Sequence, residues 1–225
     1  MDLDKLNAIS SFTSKLLRKS FGRGPTSCQP ITNREYLTLY IRGFISPMEE
    51  VLMKEGSSPY VEKARTLIIE HIVKEIEGMI KFSFDCEVIE YYQDWNFPNN
   101  SGFILFVLDQ PLSEESSVLE WEIPRLEAEI ARISQIVQKV PDHIHTYVLS
   151  SQMCLVERSG ILIMIEKELI SKGYSFELKR TKDELEKSYF HRHGEFEQIF
   201  HRKVKEILID WNFNNDKSIM AFVLD

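Results

Sequence analysis

The sequence predicts an α+β protein built twice, as two tandem units of order α-β-β-α-β-β, each an antiparallel sheet covered on one face by helices. Three observations predict it. The stretch DWNFPNNSGFILFVLD at 94–109 returns as DWNFNNDKSIMAFVLD at 210–225, identical at nine of sixteen positions at an offset of 116. The offset extends upstream, placing Pro25 on Pro141, Leu39 on Leu155, Gly78 on Gly194 and Phe84 on Phe200. One residue of slippage also sets Lys54-Glu55-Gly56 opposite Ser171-Lys172-Gly173. Finally, helical and strand-like patterns follow one another in the same order in both halves, and mixed patterns of this kind give a sheet with helices on one face. The units run over 1–110 and 124–225, joined by an acidic linker at 111–123, and the duplication suggests that they pack as a pseudo-dimer.

Each unit opens with a helix. Leu6, Ile9, Phe12, Leu16 and Leu17 form a helical stripe in the first; Leu126, Ile130, Ile133 and Val137 form one in the second, behind Pro124 in the first turn. A strand pair follows, ending in YLTLYIRGF (36–44) and QMCLVERSG (152–160), rich in the apolar and β-branched residues that sheets favour. Ser46-Pro47-Met48-Glu49 then reads as a capping box with proline in the first turn. The helical region beyond it runs to about Phe84, with a break at GSSP (56–59), and Thr181 with Glu184 is the expected box of the second unit. A hairpin closes each unit: a strand ending in DWNF, a polar turn, and a buried FVLD strand. The linker region gathers Glu114, Glu115, Glu120, Glu122, Glu127 and Glu129 around Val118, Leu119, Trp121 and Ile123, as a bridge between units or a docking segment.

Composition narrows the function classes. A 43% hydrophobic, 28% charged chain is globular rather than disordered. Its net charge of −8 is shared by both halves, so neither carries the basic surplus that nucleic-acid binding needs. No apolar run approaches a membrane span, and the N-terminus lacks a signal-peptide core. Cys28, Cys86 and Cys154 are scattered without a CxxC, which suits a reducing compartment. The expectation is a cytoplasmic protein not inserted in the membrane.

Chemistry-bearing residues are few. Arg18, Lys19, Gly22, Arg23 and Gly24 tempt a phosphate-cradle reading. They follow the opening helix, however, and so meet a C-terminus, where glycine caps and basic side chains complement the dipole. Asp94, Trp95, Asp210 and Trp211 are repeated, and duplication with core packing explains them. His191, Arg192, His193 and His201 form no complete ligand set, so no metal is expected. Cys28 is the one cysteine near a basic stretch that could lower its pKa. No catalytic residue and no cofactor emerge.

GRGP (22–25), LTLYIRGFISPMEEVL (37–52) and FVLD (106–109) together resemble the small bacterial MpsC family. The first unit carries the GRGP turn, the apolar strand, the Ser-Pro-x-Glu helix start and the terminal Leu-Asp strand. The second keeps Pro141, HTYVLSSQMCLVE and the final VLD, as a diverged copy. The resemblance implies association with a Na⁺-translocating, membrane-potential-generating system whose other components are linked to inorganic carbon uptake. It brings no catalytic residues. The expected role is that of an accessory protein with a protein partner, self-association being left open. The alternative is a small-molecule or anion sensor using a cleft between the repeats.

Overall fold

The computed structural model describes residues 3–113 and 121–225, so the linker positions 114–120 lie outside the described residues. The chain divides into two compact units, Met1–Glu115 and Ser116–Asp225.

In the first unit α1 (Leu3–Phe21) buries Leu6, Ile9, Thr13, Leu16 and Leu17 and stops where Gly22 turns left-handed at φ +73°. The strands β1 (Ser27–Asn33) and β2 (Tyr36–Arg42) form a hairpin. Two helices follow, α2 (Pro47–Lys54) and α3 (Ser58–Phe84), then β3 (Val88–Asn96) and β4 (Ser101–Leu108). All pairings are antiparallel, in the order β1-β2-β4-β3. Leu37, Leu39, Ile41, Ile104, Phe106 and Leu108 point from the sheet into a core shared with α1 and α3. The alternation of these positions is the period-two pattern of strands with one face on helices.

The second unit repeats the plan with α4 (Ile123–Val137), β5 (His143–Ser150), β6 (Met153–Ser159), α5 (Met164–Ser171), α6 (Ser175–His193), α7 (Phe196–Phe200), β7 (Val204–Asn212) and β8 (Lys217–Leu224). Its sheet order, β5-β6-β8-β7, is that of the first. The terminal hairpins superpose in register at the offset of 116: Asp94 pairs with Phe103, and Asp210 with Ile219.

The register also shows where the offset slips. Arg42 lies between Ser27 and Ser101, whereas Ser159 lies between His143 and Lys217. The β6 positions therefore stand 117, not 116, from their β2 counterparts. The extra residue is Leu149, at a bulge between Val148 and Ser150. Leu39 thus corresponds to Val156 rather than to Leu155. The slip is undone after α6, where the 27-residue α3 has become two helices broken at Gly194. A Cβ there would lie 2.1 Å from the Phe196 ring, so only glycine admits that close approach.

Thr181 lies within α6, its hydroxyl donating to the Glu177 carbonyl at 2.8 Å, and starts no helix. The counterpart of the Ser46 box is Ile163 with Glu166. Isoleucine offers no oxygen, so only half the box survives: the Ile163 N–H donates to Glu166 Oε2 at 3.0 Å.

Candidate functional site

The motifs of the first unit converge on one residue that sequence reading passed over, Arg65. It occupies a stripe position of α3 between Val61 and Ile69, and its side chain is 1% exposed. Beneath α2 it forms a fork with Glu49, Nε donating to Oε1 at 2.9 Å and Nη2 to Oε2 at 2.8 Å. Such planar two-point pairing is what guanidinium geometry favours. The other Glu49 duty is the capping box: the Ser46 N–H donates to Oε2 at 2.8 Å, and the Glu49 N–H donates to Ser46 Oγ at 3.3 Å. Three rings close around the guanidinium, Phe21 at 4.1 Å, Phe44 at 4.2 Å and Trp95 at 4.7 Å. Burial presses the Arg65 pKa down and Glu49 opposes it. Arg65 Nη1 finds no hydrogen-bond partner among the described residues, leaving the ring faces as its electrostatic environment.

The GRGP segment borders this site without entering it. Gly22 and Arg23 are exposed, as are Arg18 and Lys19 in the last turn of α1, and a Cβ on Gly24 would lie 3.1 Å from the Arg18 side chain. Arg23 acts on α2: Glu50 is held below the usual carboxylate range by the Lys54 hydrogen bond and charge, and further by the charge of Arg23. The cluster stands at a helix C-terminus.

The DWNF motif supports the same end of the unit. The Trp95 N–H donates to Asp94 Oδ1 at 2.7 Å, and its indole N–H to Gln93 Oε1 at 3.0 Å. At the hairpin tip Asn100 (φ +50°) accepts from the N–H groups of Phe44 and Ile45, at 2.8 and 3.0 Å. Those two residues lead into α2. The second unit repeats this device with Asp216, which accepts from Ile161 and Leu162, both at 2.8 Å, and pairs with Lys167 at 3.2 Å. Burial alone would raise the Asp216 pKa, but these donors hold it below its ordinary value.

What lies under α5 differs from what lies under α2. Counting at 117, Glu166 stands for Glu49 and Lys182 for Arg65, while Ile41 and Ile69 have become Arg158 and Glu186. Lys182 Nζ lies 3.1 Å from Glu166 and 3.2 Å from Glu186, and Arg158 Nη2 lies 2.7 Å from Glu186. All four charged side chains are buried. Gln138 adds hydrogen bonds to Glu166, to Lys182 and to the Ile161 carbonyl. Burial works to raise the Glu186 pKa, yet Arg158 and Lys182 together keep it depressed. The Trp211 N–H keeps its bond to Asp210 Oδ1 at 2.7 Å, and Lys179 reaches the same oxygen, but the indole N–H has no partner among the described residues. Ile209 stands where the first unit has Gln93.

These constellations hold structure in place. Their acids and bases are paired with each other, and the thiols are quiet: burial pushes Cys28 up despite hydrogen bonds involving Ser10 and Ser14, and Cys154 higher still. Among the described residues, no group of three or more His, Cys, Asp or Glu is arranged to hold a metal ion.

The site presents the short helix itself. Of the eight residues of α2 only Glu49 is buried, and of the eight in α5 only Glu166. A helix of this length is marginal alone, so the buried carboxylate acts as its anchor. Met53 is half-buried, but the other apolar side chains of α2 face outward: Met48 is 68% and Val51 60% exposed, with Leu52 beside them. Met164 and Ile165, 79% and 65% exposed, and Leu169 form the same row on α5. Met48 and Leu52 correspond to Ile165 and Leu169, so both units show an apolar i, i+4 pair at the same place.

No curated protein and no solved structure matches the chain. The family model described as the Na⁺-translocating membrane potential-generating system (MpsC) matches twice, at residues 4–110 and 125–225. Each match takes in one set of these elements, the anchored short helix and the DWNF hairpin included, and the chain belongs to the MpsC family as a two-copy member.

Proposed function

We propose that the protein is a cytoplasmic accessory component that docks a protein partner of a Na⁺-translocating, membrane-potential-generating system through the outward faces of α2 and α5. The observation that carries this reading is the repeated apolar row on two helices that bury almost nothing but a carboxylate. Contiguous apolar side chains left in water mark interaction surfaces, and here a buried ion pair fixes each one in position. The family description supplies the system. No described helix is long and apolar enough to cross a membrane. The row is nearly neutral, with Lys54 facing Glu50 and Lys167 facing Asp216, which suits an apolar protein segment better than an anionic lipid surface.

The test is affinity capture of the tagged protein from its host in mild detergent, beside a variant carrying Met48→Glu, Leu52→Glu, Ile165→Glu and Leu169→Glu. Because these side chains are exposed, the variant retains its circular dichroism spectrum. Loss of an integral membrane protein from the variant's capture supports the proposal. Equal recovery from both proteins, or none from either, overturns it.

A further inference from the structure

The second unit has a small polar recess where the first has aromatic rings. Ser134, Val137, Gln138, Lys139, Pro141, Arg158, Ile161 and Glu186 line it, leaving about 10 Å³ of space, the room that one water molecule needs. Its origin can be read from paired substitutions. Val137 and Ile161 stand where the first unit places Phe21 and Phe44, two of the rings around Arg65. Smaller side chains open the space. Arg158 and Glu186, in the places of Ile41 and Ile69, make its walls polar.

The hydrogen bonding of these walls is incomplete in a way that one further partner would finish. Arg158 spends Nε on Ser218 Oγ at 2.9 Å and Nη2 on Glu186 at 2.7 Å, both short. Among the described residues its Nη1 reaches only Ser134 Oγ, at 3.5 Å, the long end of the hydrogen-bond range. A serine hydroxyl that accepts one bond still has a proton to donate. Ser134, Arg158 and Glu186 are all buried, so a further partner reaches them only through the recess. A long polar contact in a polar, water-sized recess is where a bridging water belongs.

We infer that the second unit binds one structural water in this recess, beside the Ser134–Arg158 contact and within hydrogen-bond distance of both Ser134 Oγ and Arg158 Nη1. The space is too small for an organic ligand. Charge is already balanced, Arg158 against Glu186 and Lys182 against Glu166, so the ligand is neutral. The water is the second unit's substitute for the Phe21 and Phe44 rings.

A high-resolution crystal structure of the full chain, with ¹⁷O relaxation dispersion in solution to count long-lived waters, tests this. The expected result is one density peak within hydrogen-bond distance of two or more polar wall atoms. Val137→Phe, which restores the ring of the first unit, removes the peak and one long-lived water. If that variant fails to fold, Ile161→Phe serves the same purpose. A shortened Ser134–Arg158 contact with no density beside it overturns the inference, as does an ion or a larger molecule in the recess. An unchanged count of long-lived waters in the ring-restoring variant overturns it too.

Discussion

The two units share a sheet, a register and a closing motif, yet they solve the problem beneath their short helices in different ways. The first buries one ion pair, Glu49–Arg65, inside three aromatic rings. The second buries four charges, Glu166, Lys182, Glu186 and Arg158, with Val137 and Ile161 in the places of Phe21 and Phe44. Both anchor a helix by its one buried carboxylate. The difference teaches that the anchor is what the architecture requires, while its surroundings can drift from aromatic to ionic if each new charge arrives with its opposite. Ile41 and Ile69 belong to one apolar core; Arg158 and Glu186 stand in the same places as a salt bridge at 2.7 Å.

The largest effect expected is from breaking that exchange in half. Arg158→Ile leaves Glu186 buried with Lys182 alone and lowers unfolding free energy by about 3–5 kcal/mol, the usual cost of removing one partner of a buried pair. Arg158→Ile with Glu186→Ile recreates the first unit's contact and is neutral or stabilising by about 1–4 kcal/mol, as apolar replacements of buried pairs often are. Denaturant titration of single and double variants separates the outcomes; a double variant no better than the single would show that the two sites are not equivalent.

Acid sharpens the same comparison. The folded-state pKa of Glu186 is depressed, so its stabilising contribution is fully present above the unfolded carboxylate value of about 4.3. It is lost as pH falls through the lower folded value. Stability measured from pH 7 downward therefore falls less steeply in the Ile/Ile double variant than in the native protein.

A smaller effect strikes both units alike. Gly43 and Gly160 close β2 and β6 at φ +66° and +65°, and a Cβ would lie 2.0 Å from Thr26 Oγ1 in one and 2.0 Å from Asp142 Oδ2 in the other. Alanine at either position costs at least about 1–2 kcal/mol from backbone handedness alone. Markedly unequal losses on thermal unfolding would show that one of these turns relaxes.

The smallest changes concern single hydrogen bonds. Trp95→Phe breaks the indole bond to Gln93 and costs about 1 kcal/mol more than Trp211→Phe, whose indole N–H has no partner among the described residues. Ser46→Ala removes the first unit's cap for a loss of about 1 kcal/mol. Ile163→Ala has no cap to remove. Equal losses for the two tryptophan variants would mean that the Gln93 bond contributes nothing.

Much of the fold was legible in the sequence because its signals are local. The Ser46 box, the Gly22 stop and the DWNF hairpins each depend on a few neighbouring residues. The slip at Leu149 was not legible, since the apolar runs of β2 and β6 match acceptably at either offset, and the identity of Leu39 with Leu155 favoured the wrong one. The Thr181 expectation failed because its spacing to Glu184 recurs by chance within a polar helix. The buried charges left a signal that could have been used: Arg65 follows Val61 by one helical step, and Lys182 and Glu186 sit in line between Leu178 and Phe190. A charge on an apolar stripe is either exposed at the stripe's edge or buried with a partner. The partners, Glu49 and Arg158, lie on other elements, so spacing along the chain did not show them. The apolar row on α2 was hidden by the same logic, as periodicity marks one face of a helix without saying which face meets the core.

The oxygen that Asn100 and Asp216 extend to the residues ahead of the short helix has one more consequence. Sliding either closing hairpin by a single residue would carry that oxygen about 3.3 Å along the strand and turn it to the opposite side of the sheet. The short helix is therefore a gauge of strand alignment: a unit whose last two strands settle one step out of place cannot seat it, and so does not present its apolar row until those strands are correctly aligned.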